Sequence, residues 1–320
     1  MERCVVVLKF TSPVHFGRRD FELDSTMFWA GSDQLFGAIL SCFATLYGDA
    51  ETAELLCEYE RGGCPFITSS SFLIIESDRP AYFVPRPAGV HVDLAGVDAK
   101  KRKKIAYLPT DALEATTAGR ELIGYQPEGV FLLPDWVDEP PICENEIPRV
   151  ALDSISASSN LYYVSSVKFA HNAGLYFFLD YDMKWERKIK AAIRFLGDEG
   201  LGGERTYGFG HFTCEFRDAP TWRGEGDCRY LLSGYYPADD ELELVRLGAI
   251  KSYRLRDTGG YIYSGGDTGV RKPWIKLFAE GAILAFAPKG KLIDITPIGF
   301  ERHRVFRSGL AYTLAWNGGE

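Results

Sequence analysis

The chain has 320 residues, 36 Lys and Arg against 44 Asp and Glu, and a formal net charge of −8. Its apolar fraction of 46 % excludes a mostly disordered polypeptide, and its 33 scattered glycines exclude a collagen-like repeat. The acidity excludes a protein that coats nucleic acid indiscriminately, and leaves room for a local basic groove.

At roughly 150 residues per domain the length suggests two domains. Met1-Glu2-Arg3 leads straight into Cys4-Val5-Val6-Val7-Leu8, which reads as a first strand over residues 4–10, too short for a signal-peptide core. No apolar run approaches the roughly 18 residues of a spanning helix, so no membrane association is expected. Polar, turn-prone residues follow to Ser25. Ser32 or Asp33 then caps a helix whose apolar face carries Leu35, Ile39, Cys42 and Leu46. Ser71-Phe-Leu-Ile-Ile-Glu76 reads as the second strand.

Residues 78–148 differ in character. Nine prolines and the unbroken run Lys100-Lys101-Arg102-Lys103-Lys104 leave only weak helix and strand signals, and we read this stretch as an insertion projecting from the first domain. Regular patterning resumes with aromatic-rich strands over residues 161–167 and 175–181, read as a hairpin turning near Asn172-Ala173-Gly174. Trp185, Ile189, Ile193 and Leu196 form one face of a helix ending near Gly197. A glycine-rich segment and a strand over residues 211–216 complete the order strand, helix, strand, insertion, strand, helix, strand. The fold class predicted is α+β, with two ferredoxin-like (RRM-like) domains. The first spans 1–217, split by the insertion. The second, 225–320, is ferredoxin-like or mostly β.

The seven cysteines are irregularly spaced and form no Cys-x-x-Cys pair. This suggests a reducing, cytoplasmic compartment with neither disulfides nor a zinc site. No metal site and no cofactor are expected.

Gly200-Leu-Gly-Gly-Glu-Arg-Thr-Tyr-Gly-Phe-Gly210 places five glycines in eleven residues between a helix and a strand. A P-loop would need Gly-Lys-Ser/Thr opening a helix, and a dinucleotide loop would need strand before helix, so both readings fail. Two remain. One is a glycine bed whose N–H groups meet phosphates, with Arg205 pairing and Tyr207 stacking on unpaired bases. The other is a tight helix-to-strand connection with Phe209 in the core. The position after a ferredoxin-like helix, beside other basic segments, favours binding.

This segment resembles the signature loop of the RAMP proteins of CRISPR systems. Leu8-Lys-Phe-Thr-Ser-Pro-Val-His-Phe-Gly17, Ser32-Asp-Gln-Leu-Phe-Gly-Ala-Ile39, Lys103-Lys-Ile-Ala-Tyr-Leu-Pro109, Phe278-Ala-Glu-Gly-Ala and His303-Arg-Val-Phe-Arg-Ser-Gly309 narrow the match. Together they are similar to the fourth-subunit RAMP family of the type III-A (Csm) effector complex. The resemblance implies a non-catalytic subunit that holds the 5′ repeat-derived tag of the guide RNA. It also implies contacts with the large polymerase-like subunit and the first backbone RAMP subunit. It carries RNA contact to His15, Gly17, Gly202, Gly203, Arg205, Tyr207 and Gly208, and less directly to the insertion and Arg149. Gln34 and the segment Arg149-Val-Ala-Leu-Asp153 depart from the family pattern.

Other candidates follow from charge. Arg18 and Arg19 lie close to His15 in the chain. Five clustered cations at residues 100–104 would find relief in RNA phosphates, or form a solvated tip. Arg86, fixed between two prolines, points to the same chemistry or to none. His303, Arg304 and Arg307 suit RNA contact, a partner subunit or a polar turn. Tyr235, Tyr236, Trp222 and Trp274 suit subunit interfaces or the core. The competing function is a metal-independent endoribonuclease that matures guide RNA with His15 as general acid or base.

Overall fold

The computed structural model describes residues 1–17, 23–152, 159–222, 224, 226–264 and 267–317. Six elements build its centre: β1 (Glu2–Phe10), α1 (Ser32–Glu60), β2 (Phe72–Ile75), β3 (Ala173–Tyr181), α2 (Glu186–Glu199) and β4 (Phe212–Arg217). The strands lie in the order β4-β1-β3-β2, every neighbouring pair antiparallel.

The Val-rich β1 has no polar face because both faces of the sheet are covered. Val6 and Leu8 pack with Leu35, Phe36 and Ile39 of α1 and Ile189 and Ile193 of α2. Val5 and Val7 point the other way, into a second core with Tyr230, Leu232, Tyr312, Leu314 and Trp316. A strand buried on both faces reads as a continuous apolar run. The sheet therefore has no open face of the kind on which RRM domains stack bases.

Two expectations are corrected here. The stretch 78–148 is not a projecting loop. Ala81–Pro85, Tyr107–Pro109, Phe131–Pro134 and Tyr125–Glu128 extend the central sheet beyond β2 in that order. The hairpin also lies elsewhere. Ser159–Phe169 pairs along its whole length with Ile142–Leu152, forming a separate two-stranded ribbon, while β3 joins the central sheet.

The C-terminal part is mostly β. Ile250–Ser252, Ile283–Leu284, Cys228–Leu231 and Thr313–Trp316 form a four-stranded sheet in that order. Beyond a short 3-10 turn, its described helical content is the five-residue Leu242–Arg246. A second set of ferredoxin-like helices is thus missing among the described residues. Tyr235 lies fully in the core of this part.

α1 is two helical segments. Gly48 takes φ 79°, ψ 178° between them. The chain reverses there, so that Tyr59 meets Phe36 edge-on at 5.9 Å. Leu46, expected on the apolar face, is therefore 41 % exposed. The N-cap is Gly31, whose N–H donates to Gln34 Oε1 at 3.1 Å. Ser32 and Asp33 sit inside the first turn, buried, and their side chains serve another purpose.

Asp33 is the hinge pin between the two parts of the chain. Its carboxylate accepts from Arg256 Nη2 at 2.7 Å, Arg307 Nη1 at 2.8 Å and Thr258 Oγ1 at 2.8 Å. Arg256 also reaches Glu280 at 3.3 Å, and Ser70 donates to the same Glu280. Ser32 Oγ accepts from the Gly234 N–H at 2.9 Å. Burial alone would raise the Asp33 pKa, but the two guanidiniums outweigh it and hold the carboxyl well below the usual range.

Asp33→Ala leaves the buried Arg307 and the half-buried Arg256 without their shared anion, and should lower unfolding free energy by about 3–5 kcal/mol in urea titrations. A loss under about 1 kcal/mol would show that the clamp is dispensable. The depressed pKa makes this contribution complete above the ordinary carboxylate pKa of about 4. It fades as pH falls from there through the lowered folded value, so the gap between wild type and Asp33→Asn should narrow only in acid.

Candidate nucleic-acid interface

The glycine-rich loop begins where α2 must stop. Gly200 takes φ 84°, and a Cβ there would come within 2.6 Å of Phe209 O. Leu201 N–H donates to Gly210 O at 2.9 Å, and Gly210 N–H to Pro13 O at 2.8 Å. This base is buried together with Phe209, while Gly202, Gly203, Thr206, Tyr207 and Gly208 form an exposed crest. The base is the tight helix-to-strand connection with Phe209 in the core, and the crest is the part left open to solvent.

Several of the N–H groups are already committed. Gly203 N–H donates to His15 O at 2.8 Å, and those of Tyr207 and Gly208 close a 3-10 turn on Glu204 and Arg205 carbonyls. Gly202, at φ 104°, has no room for a side chain, since a Cβ would lie 2.6 Å from His15 O. Gly208, at φ 82°, faces open space. The amide cradle is smaller than five glycines suggest.

His15 lies beneath the crest, only 5 % exposed, and its Nδ1 donates to Ser165 O of the ribbon at 2.7 Å. It ties loop to ribbon. Arg149, on the facing ribbon strand, completes the junction. Its guanidinium stacks on the Tyr207 ring at 3.8 Å, and Nη1 lies 3.0 Å from Glu204 Oε2 without hydrogen-bond alignment. Tyr207 is still 64 % exposed. Glu204 itself adopts φ 58°, a left-handed conformation otherwise confined to glycines among the described residues.

Loop residues 200–206, His15 and Gly17 line one side of a cleft of about 1110 Å³. Arg254, Arg256, Lys272, Trp274 and Arg307 line it from the C-terminal part, and Trp29 and Tyr107 add aromatic surface. Arg18 and Arg19 lie outside the described residues.

The basic run forms the six-residue helix Ala99–Lys104 with its four lysines exposed and Arg102 paired to Asp93. Arg86 caps that helix, donating to Arg102 O at 3.3 Å and Lys103 O at 3.4 Å. Burial and the nearby Arg254 lower its pKa. This proximity joins the lysine helix to the cleft through Arg86 and Arg254. His303 is exposed, with Nδ1 3.0 Å from Arg304 O, and Arg304 bridges Glu60 and Asp294. Arg307 turns inward to Asp33, so of these three only His303 and Arg304 present themselves at the surface.

Residues 225–316 match the model of the CRISPR Csm4 C-terminal domain. A Csm4 protein of Thermococcus onnurineus is 27 % identical over 295 residues, covering 88 % of this chain and 90 % of that one. One from Mycobacterium tuberculosis is 28 % identical, covering 88 % of each. Over nearly nine-tenths of its length the chain is similar to Csm4 proteins. Its fold is shared with a chain of a Csm3-Csm4 subcomplex from a type III-A interference complex, at TM-score 0.66 and 21 % identity over 98 % of this chain and 99 % of that chain. A chain of a Csm1-Csm4 cassette solved with pppApA superposes at TM-score 0.62 and 22 % identity over all of both chains.

For this Csm4-like chain, sequence reasoning missed Arg254, Arg256 and Lys272. They lie in two short stretches of mixed sequence, Lys251-Ser-Tyr-Arg-Leu-Arg256 and Arg271-Lys272, and nothing local marks them as lining a cleft. The described residues contain no cluster of potential metal ligands and no helix long and apolar enough to cross a membrane.

Gly202 and Gly208, two of the three exposed crest glycines, separate packing from torsion. Gly202→Ala meets a carbonyl and should cost about 2–3 kcal/mol, whereas Gly208→Ala meets only the backbone penalty of about 1 kcal/mol. Equal losses in chemical denaturation would show that the His15 carbonyl yields.

Proposed function

We propose that the chain is a non-catalytic, RNA-binding subunit of a type III-A CRISPR effector, holding the 5′ repeat-derived tag of a guide RNA in the cleft beside the glycine crest. The observation that carries this reading is the exposed crest beginning at Gly202 and Gly203 on a cleft lined by Arg205, Arg254 and Lys272 besides the two arginines of the Asp33 clamp, continued by Arg86 toward the lysine helix. Splayed single strands are gripped by such combinations of phosphate pairing and ring stacking.

In this reading residues 1–217 are a ferredoxin-like domain, on the strength of the β4-β1-β3-β2 order, and residues 225–320 are a second, mostly β domain. Its neighbours in a reducing cytoplasm are a large polymerase-like subunit and a backbone RAMP subunit, as in the Csm1-Csm4 and Csm3-Csm4 assemblies of its structural relatives. The acidic remainder of the surface faces those proteins.

The endoribonuclease reading receives less support from the geometry. His15 is buried and spends one ring nitrogen on a backbone carbonyl, where a general acid or base must reach the scissile group.

Purified complex incubated with repeat RNA should show no specific cut that depends on His15. A cut abolished by His15→Ala would reverse the assignment. Arg205→Glu should strip guide RNA from the co-purified assembly while leaving its protein composition intact. Replacing Lys100, Lys101, Lys103 and Lys104 by Ser should flatten the plot of log K against log salt by up to about 3 units, at about 0.7 per phosphate contact. An unchanged slope would make that helix a solvated tip.

A further inference from the structure

At the edge opposite β4, the central sheet ends in the hairpin of Tyr125–Glu128 and Phe131–Pro134. Just past its open end, Asp135 N–H donates to Gly124 O at 2.9 Å, which sets Ile123-Gly124 beside Asp135-Trp136. The flanking residues are anchored. Leu122 is buried in the core that holds Val5 and Val7, and Val137 in the core beneath the two long helices. Between these fixed points Ile123 is 77 % and Trp136 46 % exposed. Among the described residues the Trp136 indole makes no hydrogen bond, ring contact or ion pair.

Apolar residues scattered singly over a surface are ordinary. What sets this pair apart is the charge around it. From Arg120 to Glu146 the chain carries seven acids and a single cation, Arg120, and that excess of six is most of the whole chain's eight. Glu121, Asp135, Asp138 and Glu139 lie within three residues of Ile123 or Trp136. All four are exposed, and none enters an ion pair among the described residues.

This ring of carboxylates selects the occupant. It repels phosphates, so the patch does not belong with an RNA surface, and neither residue lines the cleft. A second copy seated on the same patch would bring like charges together. The complementary surface is a protein, apolar at its centre and basic at its rim. An aromatic anchor on a fixed backbone, surrounded by polar groups that exclude water, is the arrangement that concentrates binding energy at protein interfaces.

We propose that Ile123 and Trp136 dock into an apolar pocket of a neighbouring subunit, rimmed by Lys and Arg that meet Glu121, Asp135, Asp138 and Glu139. The proposal rests on reading the chain as a subunit of an effector assembly, and gives that reading a surface outside the cleft.

The test immobilises the full chain and titrates it separately with the large polymerase-like subunit and with the backbone RAMP subunit, following association and dissociation by interferometry. One of the two should bind the wild type with a rate of association that falls as salt rises. Ile123→Ser combined with Trp136→Ser should weaken that subunit by about tenfold or more while leaving the thermal midpoint unchanged, since both side chains already face water. Asp135→Lys, Asp138→Lys and Glu139→Lys together should slow association and abolish its salt dependence. Variants that bind both subunits as the wild type does overturn the docking patch and leave the subunit reading standing. Wild-type chain that joins neither subunit overturns both. Self-association of the wild type that disappears in the double serine variant assigns the patch to a second copy and overturns the basic pocket.

Discussion

A single buried carboxylate sets the relation between the two halves of this molecule. Asp33, in the first turn of α1, draws Arg256 and Arg307 inward from two separate C-terminal strands, and Ser32 beside it receives the Gly234 N–H. Net stability is a poor guide to the meaning of such a bridge, since desolvation offsets much of the attraction. Its geometric effect is plain. The glycine loop belongs to the N-terminal half and Lys272, Arg254 and Trp274 to the C-terminal half, so the clamp ties together the two walls of the cleft, alongside the core that Val5 and Val7 share with Tyr230, Leu232 and Tyr312.

The covered sheet redirects binding. With C-terminal strands and the residues beyond β2 packed against the face that carries Val5 and Val7, nothing flat is left for stacking, and surface chemistry moves to the end of the sheet where loops gather. There the glycines divide their work. Gly200, Gly202 and Gly210 let the backbone cross itself and His15, and only the crest is offered outward. The loop is thus held rigid by the same feature that first made it look like a ligand bed. Arg149 shows how far a local reading reaches: from a ribbon distant in sequence, it lands on Tyr207 and Glu204.

Periodicity made the six central elements legible. The α2 face of Trp185, Ile189, Ile193 and Leu196 is buried throughout, and the order of strands and helices followed from patterning alone. What escaped was nonlocal. Pro148 looked incompatible with a strand, yet a two-stranded ribbon has outward edges where a missing N–H does no harm, and it pairs opposite Tyr163. Pro85, Pro109 and Pro134 sit at strand ends, so a stretch that reads as irregular still extends the sheet. Arg307 looked like a surface cation because sequence carries no sign of Asp33 facing it. Lys272 was invisible for the same reason.

Gly48 illustrates a different economy. Nothing stands within 4 Å of the position a side chain would take, so there is ample space for one. The reversal of α1 is therefore encoded in torsional preference alone, in a dihedral that L-residues disfavour, with no steric lock to guard it. The encounter of Phe36 with Tyr59 is a local event along the chain, which lets a helical hairpin close before the distant strands arrive.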